Sequence, residues 1–288
     1  MGTDSKGDDS DDSAHEFGAI HTALKLETLR KYLPAYTTAL QRRFFLHYLD
    51  AFAGTGMCNI TVNGEQIEIP GSASIAIECT PRFHRMVFIE KSAKRVRALE
   101  RLKARAADRH IEIVRDDANA ALPRALHPLS ADDRAVVFLD PYGMQVAWDT
   151  LRQLAATKIV DVWYLFPLSG LYRQATLRAD DIDEDKAAAL TRILGTEEWR
   201  DAFYGRPAIE DLFEKTSDVR KVDVPQMLGW VKRRLETIFP TVAEPKLLYQ
   251  TTVSGKPGAP LFALFFLISN PSPKARGLAL KFANAVLK

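Results

Sequence analysis

Four short apolar runs in this chain each end in an acid, and that repetition narrows the available folds more than any other feature. Tyr48-Leu49-Asp50 closes the first, Phe88-Ile89-Glu90 the second, Ile113-Val114-Arg115-Asp116-Asp117 the third and Phe138-Leu139-Asp140 the fourth. Apolar runs of this length without alternation read as strands buried on both faces, the pattern of a parallel sheet covered by helices. Ligands of such open sheets bind outside the carboxyl ends of the strands. The four acids are therefore expected along one edge, facing one crevice.

The intervening segments agree. Leu24, Leu26, Leu29, Leu33 and Leu40 recur at roughly helical spacing and predict a helix from residue 21, interrupted at Pro34. Residues 57–71 alternate around Asn63-Gly64, a hairpin signal. Ser72 to Cys79, Lys91 to Arg109 and Trp148 to Ala156 read as helices, and Ile159 to Phe166 as a fifth strand. Lys246 to Val253 and Leu261 to Ile268 read as a terminal antiparallel pair, followed by a helix over Ala275 to Leu287. The expected fold is α/β, a doubly wound, mostly parallel seven-stranded sheet with a terminal antiparallel hairpin and a helical insertion. Four segments follow: an acidic disordered tail (1–20), a core with its N-terminal helix (21–167), a helical insertion acting as a lid (168–240), and a hairpin with a helix completing the core (241–288).

Bulk properties bound the function. At 288 residues and 47% hydrophobic content the chain can bury a sizeable core. Its net charge of +2 neither demands nor excludes nucleic acid. Residues 1–20 set Lys6 against Asp4, Asp8, Asp9, Asp11, Asp12 and Glu16, which leaves a mildly basic body. No apolar run is long enough for a membrane span and none reads as a secretory signal. Cys58 and Cys79 form neither a disulfide framework nor a metal spacing, so no metal and a reduced, cytoplasmic setting are expected.

The strand ends carry the candidate chemistry. In Asp50-Ala51-Phe52-Ala53-Gly54-Thr55-Gly56, the glycines let backbone approach a ligand that a Cβ would exclude, with Asp50, Phe52, Ala53, Gly54 and Gly56 as candidate contacts. An ordinary glycine turn is the bland alternative. Glu90, followed by Lys91, can accept both ribose hydroxyls of a nucleoside, or simply start a helix. Asp116 or Asp117, with Asn119, can take an exocyclic amine of adenine, or cap a helix. Asp140-Pro141-Tyr142-Gly143 is the strongest string. A carboxylate and the Pro141 carbonyl accepting both N–H bonds of an exocyclic amine would aim its lone pair at a methyl carbon, and Tyr142 could stack on the ring. The same residues also suit a plain turn. Phe166, Pro167 and Arg173 are candidate substrate contacts. His21 and Lys25 either reach the site or face water. The eight Lys and Arg between Lys91 and Arg109 are either a phosphate track or a solvated helix face.

Together the strings Asp-x-Phe-Ala-Gly-x-Gly, Phe-Ile-Glu, Asp-x-Asn and Phe-Leu-Asp-Pro-Tyr-Gly resemble the three-Cys-motif partner proteins, which have a class I methyltransferase-like fold. The resemblance begins at His21-x-x-x-Lys25, includes Pro70-Gly71-Ser72, Trp148-x-x-Leu151 and Val160-Asp161-Val162, and covers about 21–167. It implies S-adenosylmethionine as cofactor, held by Asp50, Gly54, Gly56, Glu90 and Asp117, with Asp140 at the transfer centre, and a partner protein carrying the cysteine motif. The motifs also resemble, more distantly, amino-methyltransferases of adenine or guanine, whose acid is followed by two prolines and an aromatic. This chain has one proline. The expected activity is methyl transfer to a nitrogen of a nucleobase or nucleotide-like acceptor. The alternatives are a catalytically silent cofactor-binding partner and a nicotinamide-dependent oxidoreductase.

Overall fold

The computed structural model describes residues 9–62, 65–206, 217–251 and 257–287, with side-chain surroundings from residue 22 onward. The first half of the chain runs α1 (Asp9–Leu40), β1 (Phe45–Asp50), β2 (Met57–Val62), β3 (Glu65–Pro70), α2 (Ser72–Glu78), β4 (Arg85–Ile89), α3 (Ala93–Arg105), β5 (Ile111–Val114), α4 (Ala118–Leu126) and β6 (Asp133–Leu139). The second half runs α5 (Trp148–Ala156), β7 (Val160–Phe166), α6 (Leu168–Gln174), α7 (Glu184–Leu194), α8 (Trp199–Phe203), β8 (Tyr204–Gly205) and β9 (Val219–Arg220). It closes with α9 (Val224–Glu236), β10 (Thr241–Val242), β11 (Lys246–Thr251), β12 (Pro257–Ile268) and α10 (Pro273–Leu287).

The main sheet has the order β5-β4-β1-β6-β7-β12, with β11 and β10 sharing the outer edge of β12. Its first five strands pair in parallel, and β12 is antiparallel to β7. The seven expected positions are thus filled, and two-residue β10 is an addition. From β1 the chain winds outward through β4 to β5, then returns to the other side of β1 for β6. This reversal places the end of β1 beside the end of β6 (Asp50 is in register with Phe138), and a crevice opens where strand order reverses.

Alternation along the strands builds two cores. Leu49, Val137, Leu139, Val162, Tyr164 and Phe265 point to one face, and Tyr48, Val136, Phe138, Trp163 and Phe266 to the other. Helix α1 covers the second face with Leu26, Leu29, Tyr32, Leu33 and Tyr36. The Tyr32 ring meets Trp163 at 5.2 Å and Phe266 at 5.3 Å. This burial on both sides of Pro34 explains why α1 runs through the proline where an interruption is expected. The Thr37 hydroxyl bonds the Leu33 and Pro34 carbonyls there. The helix also starts at Asp9, inside the expected tail, since extending a nucleated helix costs little per residue. Residues 1–8 lie outside the described residues.

The hairpin at 57–71 is β2 paired with β3, although the turn at Asn63 and Gly64 lies outside the described residues. The described part of the insertion, expected as a lid, packs on the core. Leu190, Ile193, Leu194, Trp199, Phe203, Met227, Val231 and Leu235 are buried in the same cluster as β6 and β7. Those residues make its described part a packed buttress. No described helix is long and apolar enough to cross a membrane.

Candidate functional site

The loop after β1 is tied down at several points. Ala53 N–H donates to the Ile89 carbonyl, and Gly54 N–H donates to Glu90 Oε2 at 3.1 Å. Glu90 Oε1 accepts Ser92 N–H at 2.8 Å, and Arg95 lies 3.7 Å from Oε2. Buried Glu90 therefore joins the glycine loop to the start of α3. The two loop glycines divide their duties. Gly54 has φ +62 and a Cβ built on it would meet nothing within 4 Å. Gly56 has φ +83, and its Cβ would strike Leu102 Cδ2 at 2.5 Å. The Gly56 carbonyl accepts Gly71 N–H at 2.8 Å and the Ser74 hydroxyl at 2.6 Å. Gly54 thus faces open space, and Gly56 holds the hairpin base against α2.

Asp50 is fully buried beneath this loop. Phe52 N–H donates to it at 3.2 Å, and the Tyr48 hydroxyl at 3.4 Å. Burial, reinforced by the charge of nearby Asp140 and opposed by hydrogen bonds from Ser72, Phe52 and Tyr48, pushes its carboxyl up to about 7. Asp50 shapes the loop from below.

Asp117 caps α4 through its bond from Asn119 N–H at 2.9 Å, and Lys91 stands 3.7 Å from its other oxygen. Asp116 turns away to Arg124, whose guanidinium holds its carboxyl below the usual range. Asn119 spends its whole hydrogen-bonding capacity within the protein. Its Nδ2 donates to Asp117 Oδ1 at 3.1 Å and to the Gln145 carbonyl at 3.0 Å, while Oδ1 accepts Ala147 N–H and the Thr150 hydroxyl, both at 2.8 Å. Asn119 clasps the loop that follows β6. From the insertion, Arg192 clasps the same loop at the carbonyls of Met144 (2.7 Å) and Gln145 (3.1 Å).

Asp140 receives the Lys25 ammonium at 2.5 Å on Oδ2, a contact 115 residues apart in sequence. Behind it, Gly143 N–H bonds the Pro141 carbonyl at 3.0 Å, with φ +84 at Gly143. Tyr142 bonds Gln145 Oε1 through its backbone, and its ring is 89% exposed. The half-buried Cys58 thiol on β2, raised by burial and felt by Lys25, Asp140 and Asp50, marks how near the hairpin comes.

Ala51, Phe52, Glu90, Lys91, Ser92, Arg95, Asp116, Asp117, Asn119, Asp140, Tyr142 and Gln145 line one cavity of about 480 Å³. The fold thus gathers acids from three strand ends in one space, with Asp50 directly beneath. The expected substrate contacts fall elsewhere. Phe166 is core, edge-on to Tyr164 and Phe265, because its strand position points into the sheet's buried face. Pro167 is also buried, at the start of α6, where its carbonyl bonds Leu171 N–H. Arg173 is exposed on α6. Asp161, at the opposite sheet edge, accepts the Tyr32 hydroxyl at 2.9 Å. No trio of His, Cys, Asp or Glu is grouped to hold a metal among the described residues.

Neither a family model nor a curated protein matches the chain. Among solved structures it is similar to a DUF519-family protein of Legionella pneumophila strain Philadelphia 1. That pair has 14% identity, 95% of this chain and 94% of that one covered, and a TM-score of 0.53. This likeness is one of fold. An S-adenosylmethionine-dependent methyltransferase from Clostridium acetobutylicum (11% identity, 88% and 98% covered) aligns with a TM-score of 0.35. The N-terminal domain of EvdMO1 with SAH bound (13% identity, 83% and 80% covered) aligns with a TM-score of 0.38.

Proposed function

We propose that this protein is an S-adenosylmethionine-dependent methyltransferase acting on a nitrogen of a nucleobase or nucleotide-like acceptor. One observation carries the reading: Glu90, Asp117 and Asp140 line a single cavity at the sheet's switch point, beside a glycine loop. The open side of Gly54 is a cradle that a Cβ would fill, which fits a ligand lying against backbone. When bound, S-adenosylmethionine supplies a methyl carbon on a sulfonium, open to in-line attack.

The chain's own residues do the rest. Glu90 already holds two backbone N–H groups and retains lone pairs for ribose hydroxyls. Asp117 Oδ2, with Lys91 as its ion-pair partner among the described residues, is the acceptor for an adenine amine. Asp140 keeps Oδ1 for an N–H of the acceptor amine while Oδ2 stays on Lys25, and the Pro141 carbonyl offers its second lone pair to the other N–H. The two acceptors orient the nitrogen lone pair, which is positioning catalysis. Lys25 joins the site as a positioning residue for Asp140. The narrower form of the reading keeps the three-Cys-motif partner resemblance and a cysteine-motif protein as partner.

The experiment is calorimetry with S-adenosylhomocysteine alongside transfer of labelled methyl to nucleic-acid and nucleotide acceptors. Asp140→Asn is expected to keep cofactor affinity within about threefold, under 1 kcal/mol, while losing transfer. A wild-type chain that ignores S-adenosylhomocysteine but binds NADH tightly would overturn the reading. A second reading, a silent cofactor-binding partner, is favoured by the Lys25 contact on Asp140 and by the outward Tyr142 ring. Cofactor binding without transfer to any acceptor would support it.

A further inference from the structure

Helix α3 carries a row of cations without partners among the described residues. Its buried side is Leu99, flanked by Val96 and Leu102. On the opposite side Lys94, Arg97, Arg101 and Arg105 follow one another at steps of three or four residues, so they form one stripe. At 1.5 Å per residue the stripe is about 16 Å long. Among the described residues none of the four makes an ion pair or side-chain hydrogen bond.

An ordinary solvated helix relieves such repulsion by interleaving acids, and this protein does so elsewhere. Lys31 pairs with Glu27, Arg152 with Asp149, Lys186 with Asp183, Arg200 with Glu197 and Lys232 with Glu236. Helix α3 has no such pair, and Glu100 is its only acid. Its first turn holds Lys94 and Arg95 with no acid, against the sign that the helix dipole favours. Glu90, just before the helix, meets Arg95, so the missing acids are those of the face away from the core. The stripe also leads to the site, because Lys91, Ser92 and Arg95 at the head of α3 line the same cavity as Asp140 and Tyr142.

We propose that α3 is the track for the phosphodiester backbone of a single-stranded nucleic acid, with the exposed Tyr142 ring as the platform for a base at the mouth of the cavity. A row of cations joined to an aromatic face is the general recipe for holding single strands without reading sequence. The track stands on its own charges. Only the delivery of the stacked base to Asp140 rests on the proposed methyl transfer.

The test is fluorescence anisotropy of the full chain with a short labelled single strand of mixed sequence, across a salt series. The variant K94Q/R97Q/R101Q/R105Q is compared with R30Q/R42Q/K274Q/K281Q, which removes equal charge from exposed positions elsewhere. Thermal unfolding confirms that both are folded. The stripe variant is expected to bind at least about tenfold more weakly at low salt, with the log–log salt slope reduced by roughly 3, about 0.7 for each phosphate no longer neutralised. The control is expected to keep the wild-type slope. Equal weakening in both variants, or no binding by the wild type, would overturn the track. So would stripe-dependent binding to phosphatidylserine vesicles that exceeds binding to the strand. Calorimetry with S-adenosylhomocysteine on the same samples separates the two ideas: a wild type that binds the strand but not this ligand sinks the methyltransferase reading and leaves the track standing.

Discussion

Gly54→Ala isolates the cofactor cradle from the stability of the loop. At φ +62 an alanine sits in the left-handed region, which costs roughly 1–2 kcal/mol. The lost freedom of the unfolded chain returns roughly 0.4–1 kcal/mol. No atom lies within 4 Å of the new Cβ, so no packing penalty is added. The net loss is about 1 kcal/mol, or roughly 2 °C in Tm for a chain of this size. Gly71→Ala is the contrast. Its backbone has no left-handed strain, but its Cβ would stand 2.9 Å from the Gly56 carbonyl oxygen and 3.0 Å from its carbon, atoms that cannot rotate away. Overpacking of that kind costs roughly 1–3 kcal/mol. Thermal unfolding and calorimetry with S-adenosylhomocysteine, run on both variants, should therefore cross over. Gly54→Ala is expected to stay nearly as stable as wild type and lose at least about tenfold in affinity, some 1.4 kcal/mol. Gly71→Ala should lose more stability and less affinity. A Gly54→Ala protein that binds the ligand as wild type does would refute the cradle.

Glu90→Gln removes the charge and leaves one oxygen for two N–H donors, so cofactor affinity should fall by about 1–3 kcal/mol in the same calorimetry. Unchanged affinity would remove Glu90 from the site. Asn119→Ala cuts four hydrogen bonds and strands the buried Thr150 hydroxyl, a loss of about 2–3 kcal/mol. It should lower kcat more than KM, and an unaltered Tm would mean that the clasp bears no strain. The Asp161 carboxyl, raised to about 7 by desolvation, holds its proton in the folded chain while the unfolded chain has released it. That term favours the fold below about pH 4 and is lost as pH rises towards 7. Asp161→Asn keeps the acceptor for Tyr32, so relative to wild type it should gain on the order of 1–3 kcal/mol between pH 4 and pH 8 in urea unfolding. A parallel pair of stability curves would count against it.

Strand ends were legible from sequence because each is written locally: an apolar run, then an acid or glycine. The hairpin signal at 57–71 and the terminal pair at 246–268 were legible for the same reason, since turn chemistry and alternation are short-range. The arrangement around Asp140 was not. Lys25 could be flagged only as reaching the site or facing water, because nothing near it in sequence distinguishes the two. Asn119 looks like a ligand contact until its partners at Gln145, Ala147 and Thr150 are seen to exhaust it. Arg192 carries no local signal at all, being one arginine on an amphipathic helix. Phe166 illustrates the converse error. Its place at the carboxyl end of a strand is right, but strand parity turns the ring into the core.

The aromatic contact of Tyr32 with Trp163 and Phe266 bears on the order in which the chain can assemble. Helix α1 comes well before β12 in chain order, yet the surface it packs on is completed by β12. Contacts of such separation form late, after the entropy of closing a long loop has been met. Until β12 adds to β7, Tyr32 has only part of its seat. A chain stopped short of residue 257 keeps Trp163 beneath Tyr32 but lacks Phe266, so it anchors less firmly the helix that brings a cation to the fourth acid.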